Sequence, residues 1–236
     1  MSELLIKPLS ELTTYFAAHM PFIRVQPTKR GQNVLQILHP IIEGKGYIAG
    51  SFAAWTSVDQ EHYQPGDIDI FCTSLDAVSE ICTSLRRLAF GLDTWGETVV
   101  SLYPLTGANC PICHPIQLIA PHPNWLSYPV DIIKSFDMDV CRAVVINPET
   151  VAADINAGDT IGTILAINSP LRVAKRVLKY HKRGVQFDDQ ELVKMFLAWD
   201  TMTEEQKKRC IDAFLPDDPE PGYAYNADWD DYFFEE

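Results

Sequence analysis

Two aspartates, Asp67 and Asp69, alternate with isoleucines in the segment Asp67-Ile-Asp-Ile-Phe-Cys72. Side chains two apart on a β-strand point the same way, so both carboxylates are expected on one face, with Ile68 and Ile70 in the core. Adjacent carboxylates repel each other unless a cation lies between them, and Mg2+ (or Mn2+) prefers such oxygen ligands together with substrate phosphates. Taken alone, the alternation also fits an ordinary solvated edge strand.

A glycine-serine pair lies upstream of these aspartates. The segment Gly46-Tyr-Ile-Ala-Gly50 predicts a short strand, and Ser51 opens a segment that suits a helix, with Ser51 near its N-cap. A strand-turn-helix junction presents amide groups to anions, and a glycine lets a ligand approach the backbone closely. Gly50 and Ser51 are therefore candidates to bind nucleotide phosphates, and this context favours a metal site over a solvated strand.

These two motifs resemble the signature of the minimal nucleotidyltransferase superfamily, the polymerase-β-like fold. In that signature a hydrophobic residue and Gly-Ser precede a strand of alternating acids, here Ala49-Gly50-Ser51 and Asp67-Ile-Asp-Ile70. Segments 115–119, 136–141 and 179–184 look like those of phage- and virus-type members, so the resemblance covers about residues 46–184. It implies Mg2+-dependent transfer of a nucleoside monophosphate, with AMP from ATP favoured over another nucleoside triphosphate, to a hydroxyl group.

The family normally places a third carboxylate on a neighbouring strand, and the best positional match in this chain is Gln117. An amide oxygen binds a metal weakly and cannot act as a base. Asp137 and Asp139 are expected to start the next strand and are the candidate substitutes. Asp137 is the favoured one, because its segment carries the resemblance; it would join Asp67 and Asp69 as a catalytic and metal-binding residue.

A basic helix is expected over residues 170–183. Its cations recur at i, i+3, i+4 and i+7 and form one helical stripe of Arg172, Lys175, Arg176 and Lys179. Such a stripe can bind a triphosphate, or it can be a solvated face that offsets the charge of an acidic protein. By resemblance, Lys179 and Tyr180 are the expected nucleotide contacts, with Tyr180 stacked on the base. Arg176, from the same stripe, is a further expected nucleotide contact.

The elements that position these residues predict an α/β (α+β) fold with a mixed sheet. We expect a nucleotidyltransferase-like core over 1–150, a helical subdomain over 151–215 and an acidic aromatic tail over 216–236. The expected strands cover 46–50, 67–72, 98–103, 115–119 and 138–146. The expected helices cover 8–18, 75–92, 130–135, 170–183, 189–199 and 204–214, together with a short one from residue 51.

Composition limits the class of protein. The chain has 236 residues, is 47% hydrophobic and carries a net charge of −13, which disfavours general nucleic-acid binding but not a local basic groove. No signal peptide or membrane span is expected, so the protein is predicted to be soluble and cytoplasmic. The six cysteines are expected to be reduced, and Cys110 and Cys113 with His114 lack the second ligand pair that a structural zinc site normally needs.

The tail from Asp217 to Glu236 has eight acids, six aromatic residues and no Lys or Arg. It is either a solubilising end or a segment that binds the protein's own nucleotide site or a basic protein partner. The acceptor of the transferred group carries no motif, so an RNA end, a protein side chain and a small molecule all fit. Gln117 keeps a second hypothesis open, a non-catalytic nucleotide- or partner-binding protein that retains the fold.

Overall fold

A computed structural model describes residues 9–59, 64–121 and 129–214. The strands are β1 (Ile23–Pro27), β2 (Gly46–Ala49), β3 (Ile68–Cys72), β4 (Phe90–Trp95), β5 (Val99–Pro104), β6 (Ile116–Ile119), β7 (Ala143–Asn147), β8 (Thr150–Asp154), β9 (Ile161–Gly162) and β10 (Gln186–Phe187). The α-helices are α1 (Leu9–His19), α2 (Gln32–Ile42), α3 (Ser51–Thr56), α4 (Leu75–Arg87), α5 (Pro129–Ser135), α6 (Pro170–His181), α7 (Asp189–Thr201) and α8 (Glu204–Phe214). The α/β fold with a mixed sheet, followed by helices, is thereby confirmed.

An eight-stranded sheet in the order β1-β8-β7-β2-β3-β6-β5-β4 organises the chain. Its strands pair antiparallel except for β3 and β6, which run parallel. The parallel pair lies near the middle of the sheet, so β3 is bordered on both sides and its side chains project to two covered faces. Strand β8 begins at the proposed boundary near residue 150 and joins this sheet; the division into 1–150 and 151–215 stays a prediction.

The two faces of the sheet bury different apolar sets. One face packs against α2 and α4 and includes Ile48, Ile68, Ile70, Leu118 and Val145. The other face packs against α1, α5 and α6 and includes Ala49, Phe71, Ile119, Val144 and Ala152. Strand β3 contributes to both sets through alternate residues, which fixes the direction of each of its side chains.

Two expectations about local structure were wrong. Helix α4 ends at Arg87 instead of near residue 92, because Ala89 adopts a positive φ of 65° and turns the chain into β4. The strand expected over 138–146 begins only at Ala143, because Asp139–Cys141 form a single 3-10 turn. Helix α2 and strands β1, β4, β8, β9 and β10 were not predicted.

Among the described helices, none combines the length and the apolar character that crossing a membrane would require. The acidic aromatic tail over 216–236 lies outside the described residues, so the expectation that it binds the nucleotide site or a partner stays a prediction.

Candidate active site

Strand β3 places the paired aspartates on the face of the sheet that α6 covers. Ile68 and Ile70 are fully buried on the opposite face, so Asp69 and the preceding Asp67 project together, as their alternation predicts. In the sheet, Asp69 lies directly between Ala49 on β2 and Gln117 on β6. We call this side of the sheet the acidic face.

The two carboxylates are held in an unfavourable environment for charge. Burial, together with the neighbouring charge of Asp67, raises the pKa of Asp69 from 3.8 to about 7, although Lys179, Arg176 and Arg183 act to lower it. Oδ1 of Asp67 is buried and has no hydrogen-bond partner among the described residues. A buried carboxylate oxygen without a partner is costly, so this oxygen of Asp67 is available to an additional positively charged or hydrogen-donating group.

The turn between β2 and α3 lies against the same carboxylates. Gly50 has φ 79° and ψ −146°, a conformation that is essentially restricted to glycine. A Cβ at this position would lie 3.1 Å from Oδ2 of Asp69, so the absence of a side chain keeps the space beside the carboxylate open. Ser51 begins α3 and is 4% exposed, and its Oγ has no hydrogen-bond partner among the described residues.

Helix α6 and the residues after it direct cations at the acidic face. Nζ of Lys179 lies 3.8 Å from Oδ2 of Asp67. Arg183 packs over Gly66, where an added Cβ would lie 2.7 Å from Nη2 of the guanidinium. Since Gly66 directly precedes Asp67, the glycine lets Arg183 come close to the acidic pair. Arg183 was not predicted as a site residue. The available signal was Gly66 directly before Asp67, since a glycine there leaves room for another side chain.

Arg176 holds the candidate third carboxylate. Its Nη1 lies 3.2 Å from Oδ1 of Asp137, and its Nη2 lies 3.4 Å from Sγ of Cys141. The positive charge of Arg176 also acts to lower the pKa of Asp69. The same guanidinium thus interacts with Asp137 by contact and with Asp69 at longer range. The roles predicted for Asp137 and Arg176 stay predictions.

Asp139 occupies a structural position. The residue is 2% exposed, its Oδ1 accepts a 2.7 Å hydrogen bond from the backbone N–H of Thr163, and its Oδ2 accepts a 2.9 Å bond from the side chain of Asn156. The expectation that Asp137 and Asp139 start the next strand was wrong, because β7 begins only at Ala143. Both carboxylate oxygens of Asp139 are thus engaged in holding the chain together.

Tyr180 belongs to the core beneath α6. The residue is 3% exposed and packs with Val173 and Val177 in the apolar set under that helix. Its hydroxyl hydrogen-bonds with the thiol of Cys141, and the guanidinium of Arg183 lies 5.8 Å from the centre of its ring. Stacking of Tyr180 on a base stays a prediction. Its burial indicates that Tyr180 helps to anchor α6 to the core.

The loop before β6 brings a histidine to the mouth of the site. The ring of His114 lies edge-on to Phe52, with centroids 5.7 Å apart, and its Nδ1 lies 3.6 Å from Sγ of Cys113. Burial lowers the pKa of His114 below its usual 6.5, whereas the charge of nearby Asp67 acts to raise it. No role was predicted for this histidine; its place two residues before β6, the strand of Gln117, was the available signal.

Two solved structures share this fold. A tRNA-processing enzyme in apo form I is 13% identical, with a TM-score of 0.53 over 79% of this chain and 54% of that chain. A CCA-adding enzyme in apo form I is 14% identical, with a TM-score of 0.51 over 76% of this chain and 46% of that chain. The chain therefore spans about half the length of each.

These likenesses show that the chain shares its fold with structures described as a tRNA-processing enzyme and a CCA-adding enzyme. No protein-family model matches the sequence, and no curated protein matches it. The finer resemblance to phage- and virus-type members stays an expectation, since the descriptions of the two neighbours name a tRNA-processing and a CCA-adding enzyme.

Proposed function

We propose that this protein is a nucleotidyltransferase that uses Mg2+ or Mn2+ and moves a nucleoside monophosphate, preferably AMP, from a nucleoside triphosphate to a hydroxyl group. The observation that supports it most directly is the partly exposed pair Asp67 and Asp69 beside the open Gly50–Ser51 turn, on a nucleotidyltransferase fold. The acceptor oxygen forms a bond to the α-phosphorus, the bond from that phosphorus to the bridging oxygen breaks, and pyrophosphate leaves.

The residues of the acidic face fit a divalent cation. Asp67 offers a buried carboxylate oxygen without a hydrogen-bond partner in the described ranges, and burial with like-charge repulsion raises the pKa of Asp69 to about 7. No group of three or more His, Cys, Asp or Glu side chains in those ranges is arranged to hold a metal. A pair suffices for Mg2+, which keeps several water ligands and shares phosphate oxygens. Bound there, the ion would stabilise negative charge on the transferred phosphoryl group.

The polypeptide positions the triphosphate from three directions in this proposal. The amide and hydroxyl groups at Ser51 donate to phosphate oxygens, and the glycine before it admits them. Lys179 and Arg176 supply positive charge from α6, at the side where the pyrophosphate leaves. Arg183, whose guanidinium packs over Gly66, adds a third cation to that side.

Asp137 is the proposed residue that receives the proton of the acceptor hydroxyl. This role requires its 3.2 Å contact with Arg176 to loosen when the guanidinium turns to a phosphate. We expect Asp137→Asn to reduce transfer more than Asp139→Asn or Gln117→Ala does. If Asp139→Asn proves the most damaging after correction for the folded fraction, this choice of the third carboxylate is wrong.

An RNA end is the proposed acceptor, in keeping with neighbours described as a tRNA-processing and a CCA-adding enzyme. Each of the four nucleoside triphosphates, labelled in the α-phosphate, would be incubated with the protein, Mg2+ or Mn2+, and either total RNA or a protein lysate. Label in RNA from ATP, lost in Asp67→Asn and kept in Asp93→Asn, supports the proposal. Label in protein or in a small molecule would reassign the acceptor, and no transfer to any of them would refute the function.

A second candidate function is a non-catalytic nucleotide-binding or partner-binding protein. Two observations favour it: Gln117 lies beside Asp69 where the family places a carboxylate, and Asp137 is already paired with Arg176. Triphosphate binding measured by calorimetry, without label transfer under every condition above, would select this alternative.

A further inference from the structure

The acidic face contains its own positive charge. The ammonium of Lys179 lies 3.8 Å from Oδ2 of Asp67, and Lys179, Arg176 and Arg183 all act on the charge of Asp69. The other carboxylate oxygen of Asp67 has no hydrogen-bond partner in the described part of the chain. Asp67 is therefore only partly neutralised, by one ammonium group at one of its oxygens.

Lys179 is the most exposed of these three cations. Its side chain is 48% exposed, whereas that of Arg176 is 22% exposed and lies between Asp137 and Cys141. Arg183 is confined between Gly66 and the ring of Tyr180. A lysine has a flexible stem and a compact charge, so its head group can change partner with little cost elsewhere.

Resting on the proposed function, we infer that Lys179 is an internal counter-ion of Asp67 that a divalent cation displaces and that then binds the triphosphate. Lys179 and a free metal ion compete for the same carboxylate, since both are cations attracted by the negative charge of Asp67. A metal ion that arrives with a triphosphate removes this competition, because the triphosphate offers the ammonium new anionic partners.

Two consequences separate this role from that of a fixed salt bridge or an ordinary phosphate-binding lysine. Removing the ammonium strengthens the binding of free metal and weakens the binding of triphosphate, so the two affinities change in opposite directions. In addition, metal and triphosphate assist each other's binding in the native protein, and linkage requires that this assistance be reciprocal. Without Lys179 the assistance becomes smaller.

The test measures Mn2+ binding by electron paramagnetic resonance and binding of a non-hydrolysable ATP analogue by calorimetry, each with and without the other ligand. The variants are Lys179→Met and Lys179→Gln, with Lys182→Met as a matched control that removes an exposed positive charge at the end of the same helix. Both Lys179 variants are expected to bind Mn2+ alone roughly tenfold more tightly and the analogue roughly tenfold more weakly. The control is expected to change both affinities less than about twofold.

The outcomes distinguish the counter-ion from the proposed function itself. If the native protein binds neither Mn2+ nor the analogue, both are refuted. If it binds both ligands, but the Lys179 variants leave Mn2+ affinity unchanged or lower it, the function stands and the counter-ion role is refuted. Opposite shifts in the two Lys179 variants, absent from Lys182→Met, support the displacement of Lys179 by the metal.

Discussion

Replacing Asp69 by asparagine should stabilise the metal-free protein at alkaline pH while abolishing its stabilisation by metal. Burial, with the neighbouring charge of Asp67, raises the pKa of Asp69 from 3.8 to about 7. A carboxyl group whose pKa is raised in the folded state favours folding only while it is protonated. Its contribution is complete below about pH 3.8 and is lost as the pH rises to about 7. Above that pH, the native carboxylate is charged and costs stability, whereas asparagine does not.

The size of the effect follows from the shift in pKa. A difference of about three pKa units corresponds to ~4 kcal/mol at ~1.4 kcal/mol per unit. That value is an upper bound for Asp69, which is partly exposed and shares its shift with Asp67. We therefore expect the free energy of unfolding of the native protein to fall by about 1–3 kcal/mol between pH 4 and pH 8 because of this group. Asp69→Asn should lack this fall.

Urea denaturation in a metal chelator, at pH 5 and at pH 8, measures both variants directly. At pH 8, Mg2+ at about a hundred times its dissociation constant should then stabilise the native protein by ~2.7 kcal/mol, but not Asp69→Asn. Asp93→Asn, an exposed change in β4, is the control and should follow the native protein throughout. An equal difference in stability between the native and Asp69→Asn proteins at both pH values, or equal stabilisation of the two by Mg2+, would contradict this prediction.

Three further perturbations test neighbouring parts of the site. Gly50→Ala should lower the free energy of unfolding by about 1–3 kcal/mol, because Gly50 has a backbone conformation that alanine rarely adopts and the added Cβ would lie close to Asp69. The control is Gly44→Ala, at φ 71° with open space around it, which should lower the free energy of unfolding less in the same urea titration. Asp139→Asn should destabilise the folded protein by about 1–3 kcal/mol, since the two hydrogen bonds of Asp139 are structural. Its Mn2+ affinity, measured by calorimetry, should stay unchanged, and a loss of Mn2+ binding would contradict this. Gln117→Glu, beside Asp69, should tighten Mn2+ binding by roughly tenfold and lower metal-free stability at pH 8. Unchanged Mn2+ affinity would exclude residue 117 from the metal's surroundings.

The central motif could be predicted from the sequence because its signals are local. Alternation alone puts Asp67 and Asp69 on one face, and the glycine at position 50 marks a turn that the structure shows in a glycine-only conformation. The end of α4 could not be predicted in this way. Ala89 turns the chain with a positive φ, and an alanine carries no sequence signal for that conformation.

Contacts between segments distant in the chain determine the start of β7 and the pairing of Asp137, and neither could be predicted from the sequence. The strand expected over 138–146 starts late because Asp139 binds the backbone of Thr163, which lies in another segment of the chain. Likewise, the pairing of Asp137 with Arg176 depends on how α6 lies across the sheet. Residue types and spacing within one segment contain no information on such pairings, so the sequence left the third ligand position open among Asp137, Asp139 and Gln117.

Because aspartates and buried isoleucines alternate over residues 67–70, at the start of β3, the number of residues in this segment is constrained more tightly than the identity of most of them. Ile68 and Ile70 are fully buried on one face while Asp69 projects from the other. A single inserted or deleted residue between Gly66 and Asp69 would reverse every side chain of the strand, placing a carboxylate in the α2–α4 core and an isoleucine on the acidic face. Stability and chemistry would be lost together, so chains that diverge from this one should accept substitutions here but keep the segment free of gaps.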